Sequence, residues 1–480
     1  MTDKISNKKV VMEANVVNEY KEEVKTWPQV LTIIIACLAP FTNGVLLTWS
    51  SPFIVKITED KVNYNITEDE TSYFNIIEPL AMILACTLVS RLCDMIGRKN
   101  TLLLITIPQL SAWLLTVLGT NVYLFYGMKF CSGISQGIAF SALPTYIGEI
   151  STPQVRGSWG CLFISSMYFG YLVIAIVGNY FTIKQTAYIF LPLPILFCVL
   201  FSMMPESPHY YAMKGMDEEA KKSLRKFSRK KNVEADFLEM KSDISRQLSE
   251  KKGWKDLIVV RSNRRALAAG IFLRISPSFG ALTVFLVYAQ LFFEKAGGEV
   301  SSAAASIYYM GISFALNLLV VVFVIHSLKR KTCYIMSSLP SGFMLILMSV
   351  YLFIDENYPQ IDVSSFSWVP LTGMILYQIF ASYGLAVIPT LMLGELFSAS
   401  IKSKAVSVVM IAFGLSLLTA NYFFYYLYST FGLYAPLFVF GCCNIVSTVL
   451  SFYLIPDTRG KTLEEIQQSL KKIKQSSDGH

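Results

Sequence analysis

The sequence predicts an all-α membrane protein: twelve transmembrane helices in two six-helix bundles with a cytosolic helical insertion between them. Three observations predict it. The 480-residue chain is 54% hydrophobic and 15% charged with mean hydropathy +0.49, more apolar surface than a water-soluble fold can hide. Its apolar residues gather into twelve stretches, six on each side of one long polar interval. A span takes ~20 residues, so twelve use about 240 and leave the rest for loops and tails.

In order, the stretches run over residues 28–49, 72–89, 102–118, 122–147, 159–181 and 187–204, then 266–293, 301–328, 334–354, 369–396, 405–428 and 434–455. Residues 1–26 are polar and the first apolar run is long enough to cross, so no cleavable signal peptide is expected. Open strands would leave backbone groups unsatisfied in lipid, and no barrel-type alternation of ~10 residues repeats, so the stretches are helices. The interval 205–265 holds helix-forming runs at 217–229 and 233–248 and predicts short amphipathic helices, or a solvated linker attracted to anionic headgroups. The expected organisation is a cytosolic tail 1–26, a first bundle 27–204, a linker 205–265, a second bundle 266–456 and a cytosolic tail 457–480.

Basic residues set the orientation. Of the 41 Lys and Arg, 35 fall in the tails and in alternate loops, whereas only Lys56, Lys61, Lys184 and Lys295 fall on the other side; Lys129 and Arg274 lie within spans. Both termini are therefore expected in the cytosol. The formal charge of +8 reflects this bias rather than a nucleic-acid partner. The sequon Asn65-Ile66-Thr67 lies in the first outside loop, making Asn65 a candidate glycan acceptor. None of the nine cysteines falls in an outside loop and the three histidines are scattered, so neither a disulfide framework nor a metal site is expected.

The two halves echo each other. Pro144 to Glu149 with Arg156 ends the fourth stretch, and Pro389 to Glu395 with Lys402 ends the tenth; the two glutamates stand 246 residues apart and each has its basic residue seven positions on. Asp94 to Lys99 follows the second stretch, and His326 to Lys331 follows the eighth. Such repeats are typical of duplicated transporters. Carboxylates and cations at these helix ends can pair with neighbours and break as two halves rock, which makes a latch.

Further segments carry a specific likeness: Gly44 with Trp49 to Pro52, Gly133 and Gly137, Glu149 to Pro153 with Arg156-Gly157, Pro205-Glu206-Ser207-Pro208, Tyr288 with Ala296-Gly297, and Pro456 to Ile466. On these the chain resembles the sugar porter family of the major facilitator superfamily, and within it the insect facilitated trehalose transporters, over nearly its whole length. The resemblance implies the major facilitator fold and a cytosolic gating network of Asp94, Arg98, Lys99, Glu149, Arg156, Glu206, Glu395 and Lys402.

At the positions where the family lines its sugar site with Gln, Asn and Trp, this chain has Ile164, Pro277 with Ser278, Thr283, Phe314, Thr390 and Phe413 with Gly414. Each lost hydrogen-bond partner costs about 1 kcal/mol or more, and a whole millimolar site is worth only ~4 kcal/mol. Five losses would remove ordinary sugar binding unless Ser278, Thr283, Tyr288, Thr390, Asn317 and Asn421 substitute, so a less polar cavity and an altered substrate are expected. Arg274 and Glu78, charges inside spans, read either as anion or proton-linked contacts or as snorkelling and structural groups.

The functional expectation is an alternating-access carrier of a small solute, sugar-porter type; the resemblance implies a facilitative one, because the first apolar stretch lacks the acidic residue that proton-coupled relatives often place there. It would act in the plasma membrane as a monomer, its partners being a small-molecule substrate and the lipid bilayer. No phosphate-binding loop and no catalytic grouping occurs, so neither a cofactor nor an enzyme activity is expected. The alternatives are a membrane sensor on the same scaffold, which binds without carrying, or a carrier of a less polar, non-sugar solute.

Overall fold

The computed structural model describes residues 25–249, 254–298, 300–320, 330–358, 360–397 and 401–456. Eleven helical segments among them are long and apolar enough to cross a membrane: Trp27–Glu59, Glu68–Ile96, Arg98–Leu118, Leu162–Tyr180, Ile183–Ser202, Arg261–Ala296, Ser302–Leu319, Arg330–Asn357, Val369–Leu393, Lys404–Phe431 and Tyr434–Leu454. The 29-residue helix Val122–Ile150 takes the fourth place and completes twelve. It is the more polar one because it faces other helices with Lys129, Ser132, Ser135 and Gln136, all buried. The chain is thus all-α, with twelve spans in two sets of six.

Boundary residues act locally. Thr67 and Thr182 form capping boxes with Glu70 and Gln185, and Asn121 and Ser301 accept from Leu124 N and Ala304 N. The expected linker helices are present as Asp217–Ser228 and Glu234–Ser249, joined by Pro208–Met213 and Trp254–Val259.

Small residues decide which spans touch. A Cβ at Gly133 or Gly137 would run into the backbone of the second span, and one at Gly44 or Gly170 would do so between the first and fifth. In the second bundle Gly342 and Gly441 approach each other's carbonyls, where a Cβ would lie 3.0 Å from the opposite oxygen. The bundles meet through the second and eleventh spans and through the fifth and eighth.

Several spans are broken. The seventh comprises helices Arg261–Phe279 and Leu282–Ala296, with Ala281 in the left-handed region at φ 73°. The freed Gly280 carbonyl accepts from Tyr377 Oη at 2.6 Å and Asn444 Nδ2 at 3.2 Å, which is how broken backbone survives at membrane depth. The tenth divides between Tyr383 and Ile388, just before Pro389.

Candidate functional site

A cavity of about 80 Å³ lies where the bundles meet. Leu47, Asn75, Glu78, Pro79, Gln136, Phe140, Met167 and Tyr171 line it from the first bundle, and Thr283, Leu286, Val287, Phe413, Leu417 and Asn421 from the second. That volume suits a few waters. A solute of sugar size enters it only as the helices part.

The break in the seventh span turns Thr283, Leu286 and Val287 toward this space, while Phe413, Leu417 and Asn421 recur every four residues along one stripe of the eleventh. Several buried polar atoms here have no protein partner of good geometry: the Asn75 amide, Thr283 Oγ1, Tyr288 Oη and Asn421 Oδ1. Asn421 Nδ2 reaches across to Asn75 O at 3.0 Å.

The sequence-derived residues divide. Thr283, Phe413 and Asn421 line the cavity. Tyr288 is buried and stacks on Phe424 at 5.0 Å, Ser278 bonds Ser416 Oγ at 2.9 Å, and Asn317 accepts from Ser165 Oγ at 2.8 Å across the bundle interface. Arg274 is 8% exposed with its guanidinium 4.9 Å over the Phe413 ring. Ile164, Phe314 and Thr390 lie outside the lining; Met167 and Tyr171 represent the fifth span instead, and Phe314 packs on Phe169 at 5.4 Å. The first-bundle lining was missed apart from Glu78, whose charge drew attention. Asn75 lies one helical turn before it on the same face, a signal that was available. Asn75 and Gln136 join the expected Asn421 in a wall that is otherwise largely apolar.

Glu78 is not free. Its carboxylate accepts from Lys129 Nζ at 2.9 Å and Ser132 Oγ at 2.6 Å, and Lys129 also donates to Leu46 O and Leu47 O at 3.0 and 3.1 Å. The pair ties the second and fourth spans to the first beside its interruption at Trp49.

At the basic end, five of the sequence-derived charges converge. Arg98 Nε lies 3.0–3.1 Å from both Glu149 oxygens and its Nη1 lies 3.6 Å from Asp94, while the backbone amides of Arg98, Lys99 and Ser207 donate to Glu206 at 3.1, 2.9 and 2.7 Å. Lys99 Nζ donates to Ser202 O at 2.6 Å, and Ser207 Oγ bonds Glu149. Burial pushes the Glu206 carboxyl above its ordinary value, and the amides of Lys99 and Ser207 oppose that push. Gly97, at φ 97°, leaves room for this carboxylate. Arg156 donates to Gly148 O at 2.5 Å and Ser151 O at 3.1 Å, closing the end of the fourth span. These contacts stay within the first bundle and the start of the linker. The side chains of Glu395 and Lys402, and residues 326–329, lie outside the described residues.

At the opposite end, contacts cross between bundles: Lys295 Nζ to Glu68 at 3.0 Å, Tyr425 Oη to Asp69 at 2.7 Å, and Gln290 N to Ser51 Oγ at 3.2 Å. The halves are closed together there. Asn65, exposed at φ 42°, stands at this same end.

A family profile described as "Sugar (and other) transporter" matches residues 32–470. The chain belongs to this family. Among its relatives are a facilitated trehalose transporter of Drosophila simulans, 27% identical over 92% of this chain and 52% of the relative, and one of Culex quinquefasciatus, 27% identical over 93% and 86%. The chain thus spans about half the length of the Drosophila relative. The fold is that of the proton:xylose symporter XylE bound to 6-bromo-6-deoxy-D-glucose, with TM-score 0.73 and 19% identity over 93% of this chain and 100% of that one. The inward open conformation of XylE from E. coli aligns with TM-score 0.72 and 19% identity, covering 91% and 98%.

Proposed function

We propose that this protein is an alternating-access, facilitative carrier of a sugar or related polyol, in the class of hexoses and trehalose. The observation that carries the reading is a cavity lined by both bundles, largely apolar with a few polar side chains, in a chain of the sugar transporter family. Thr283, Asn75, Gln136 and Asn421 would hold the solute by hydrogen bonds, with Phe413 and Tyr171 as the aromatic wall.

By the distribution of Lys and Arg, the basic end is cytosolic and both termini lie in the cytosol. The contacts of Lys295, Tyr425 and Gln290 then form the outer latch. Asp94, Arg98, Lys99, Glu149, Arg156 and Glu206, with Glu395 and Lys402, would form the inner network, releasing the linker as the bundles rock. The protein would act in the plasma membrane as a monomer, glycosylated at Asn65.

Counterflow of labelled glucose and trehalose into proteoliposomes containing the full chain tests the carrier role. Saturable exchange supports it. Solute binding with no exchange would instead identify a sensor.

A further inference from the structure

Arg274, 4.9 Å over the cavity-lining Phe413 ring, carries a charge that the cavity wall does not balance. Its side chain is buried, its Nε has no hydrogen-bond acceptor, and no carboxylate among the described residues pairs with it. Glu78, the acid in the lining, is already matched by Lys129. Among the described residues, Arg274, Lys129 and Glu78 thus leave one unbalanced positive charge at membrane depth, a costly state. The guanidinium carbon lies 4.9 Å over the ring of Phe413, itself part of the cavity wall, which holds the fork there without neutralising it.

We propose that the solute is an organic monoanion, a sugar or polyol bearing one carboxylate. The carboxylate pairs with Arg274 in the two-pronged geometry that a guanidinium favours. The hydroxyls of the solute meet the unpartnered Thr283 Oγ1, Asn421 Oδ1 and Asn75 amide. One negative charge balances the site. A phosphate dianion would leave an excess negative charge beside Glu78 in a medium of low dielectric, which disfavours it. This assignment rests on the carrier reading and moves its substrate from neutral sugars and polyols to their carboxylates.

The test is uptake of labelled gluconate and glucuronate, against their neutral counterparts sorbitol and glucose, by proteoliposomes holding the full chain, Arg274→Gln or Arg274→Lys. The expected result is carboxylate uptake at least about tenfold above neutral uptake, the smaller effect of a charge-assisted pair. Arg274→Gln should bring the ratio of carboxylate to neutral uptake toward one, and Arg274→Lys should retain part of the preference. Equal uptake of both classes by the parent, or an equal loss of both in Arg274→Gln, overturns the proposal and leaves the carrier reading standing. If nothing crosses, titration by intrinsic tryptophan fluorescence decides separately. Gluconate binding abolished by Arg274→Gln sustains the anion site although the carrier reading fails, and indistinguishable gluconate and sorbitol binding refutes the site.

Discussion

Replacing Lys129 by Met should be among the most damaging single changes in the first bundle. The substitution preserves the length of the apolar stem but removes the ammonium that bonds Glu78 at 2.9 Å and the Leu46 and Leu47 carbonyls at 3.0 and 3.1 Å. With Lys129 fully buried and Glu78 at 1% exposure, bulk water does not take the ammonium's place. Leaving one member of a buried ion pair uncompensated costs about 3–5 kcal/mol. Lys129→Met with Glu78→Gln removes both charges, so most of that loss should return. A residue of about 1–2 kcal/mol would remain for the orphaned carbonyls and the Ser132 hydroxyl. The assay is thermal unfolding of the detergent-purified chain, followed by the fraction remaining monodisperse after heating. A double variant no more stable than the single one would refute the account, because the damage would then lie in packing rather than in a stranded carboxylate.

Three further outcomes are expected. Gly97→Ala should lose about 1–3 kcal/mol in the same assay, since φ is 97° and the new methyl meets the Glu206 carboxylate; an unchanged midpoint would contradict this. Glu206 has a folded-state pKa above its ordinary 4.5, so its contribution to stability is complete below 4.5 and is lost as pH rises through the folded value. The melting midpoint of Glu206→Gln minus that of the parent should therefore climb as pH rises from 4.5 toward neutrality, and a flat or falling difference would count against burial as the cause. Lys295→Gln should weaken the outer latch by under about 1 kcal/mol, because both partners of the Glu68 pair are partly exposed. Labelling of Thr283→Cys from the Asn65 side, in a background without other reactive cysteines, should then quicken by no more than about fivefold; unchanged labelling would mean the pair does not hold that end.

The basic-end charges show how far sequence reading reaches. Asp94, Arg98, Lys99, Glu149 and Glu206 were all marked by short motifs, and they do converge, but as a clamp between the first bundle and the linker. Motif spacing could not say which neighbours each charge would meet. The cavity was harder still. Of the positions that the family resemblance marks, Thr283 and Phe413 line the cavity, whereas Ile164 in the first bundle and Phe314 and Thr390 in the second do not. Gln136 and Tyr171 gave no local signal, since one amide or phenol in an apolar run reads the same on any face of the helix.

The sequence by itself determined the twelve crossings, the basic and non-basic ends, and the two main linker helices. Lipid solvation acts on each segment nearly independently, so these features are sums over nearby residues. Tertiary structure alone decided that Lys129 neutralises Glu78, that the seventh span breaks at Ala281 to present Thr283, and that Arg274 rests on Phe413. Those outcomes depend on how each helix is rotated about its own axis and on which small residues let another backbone come close. Both are set by packing between segments far apart in the chain.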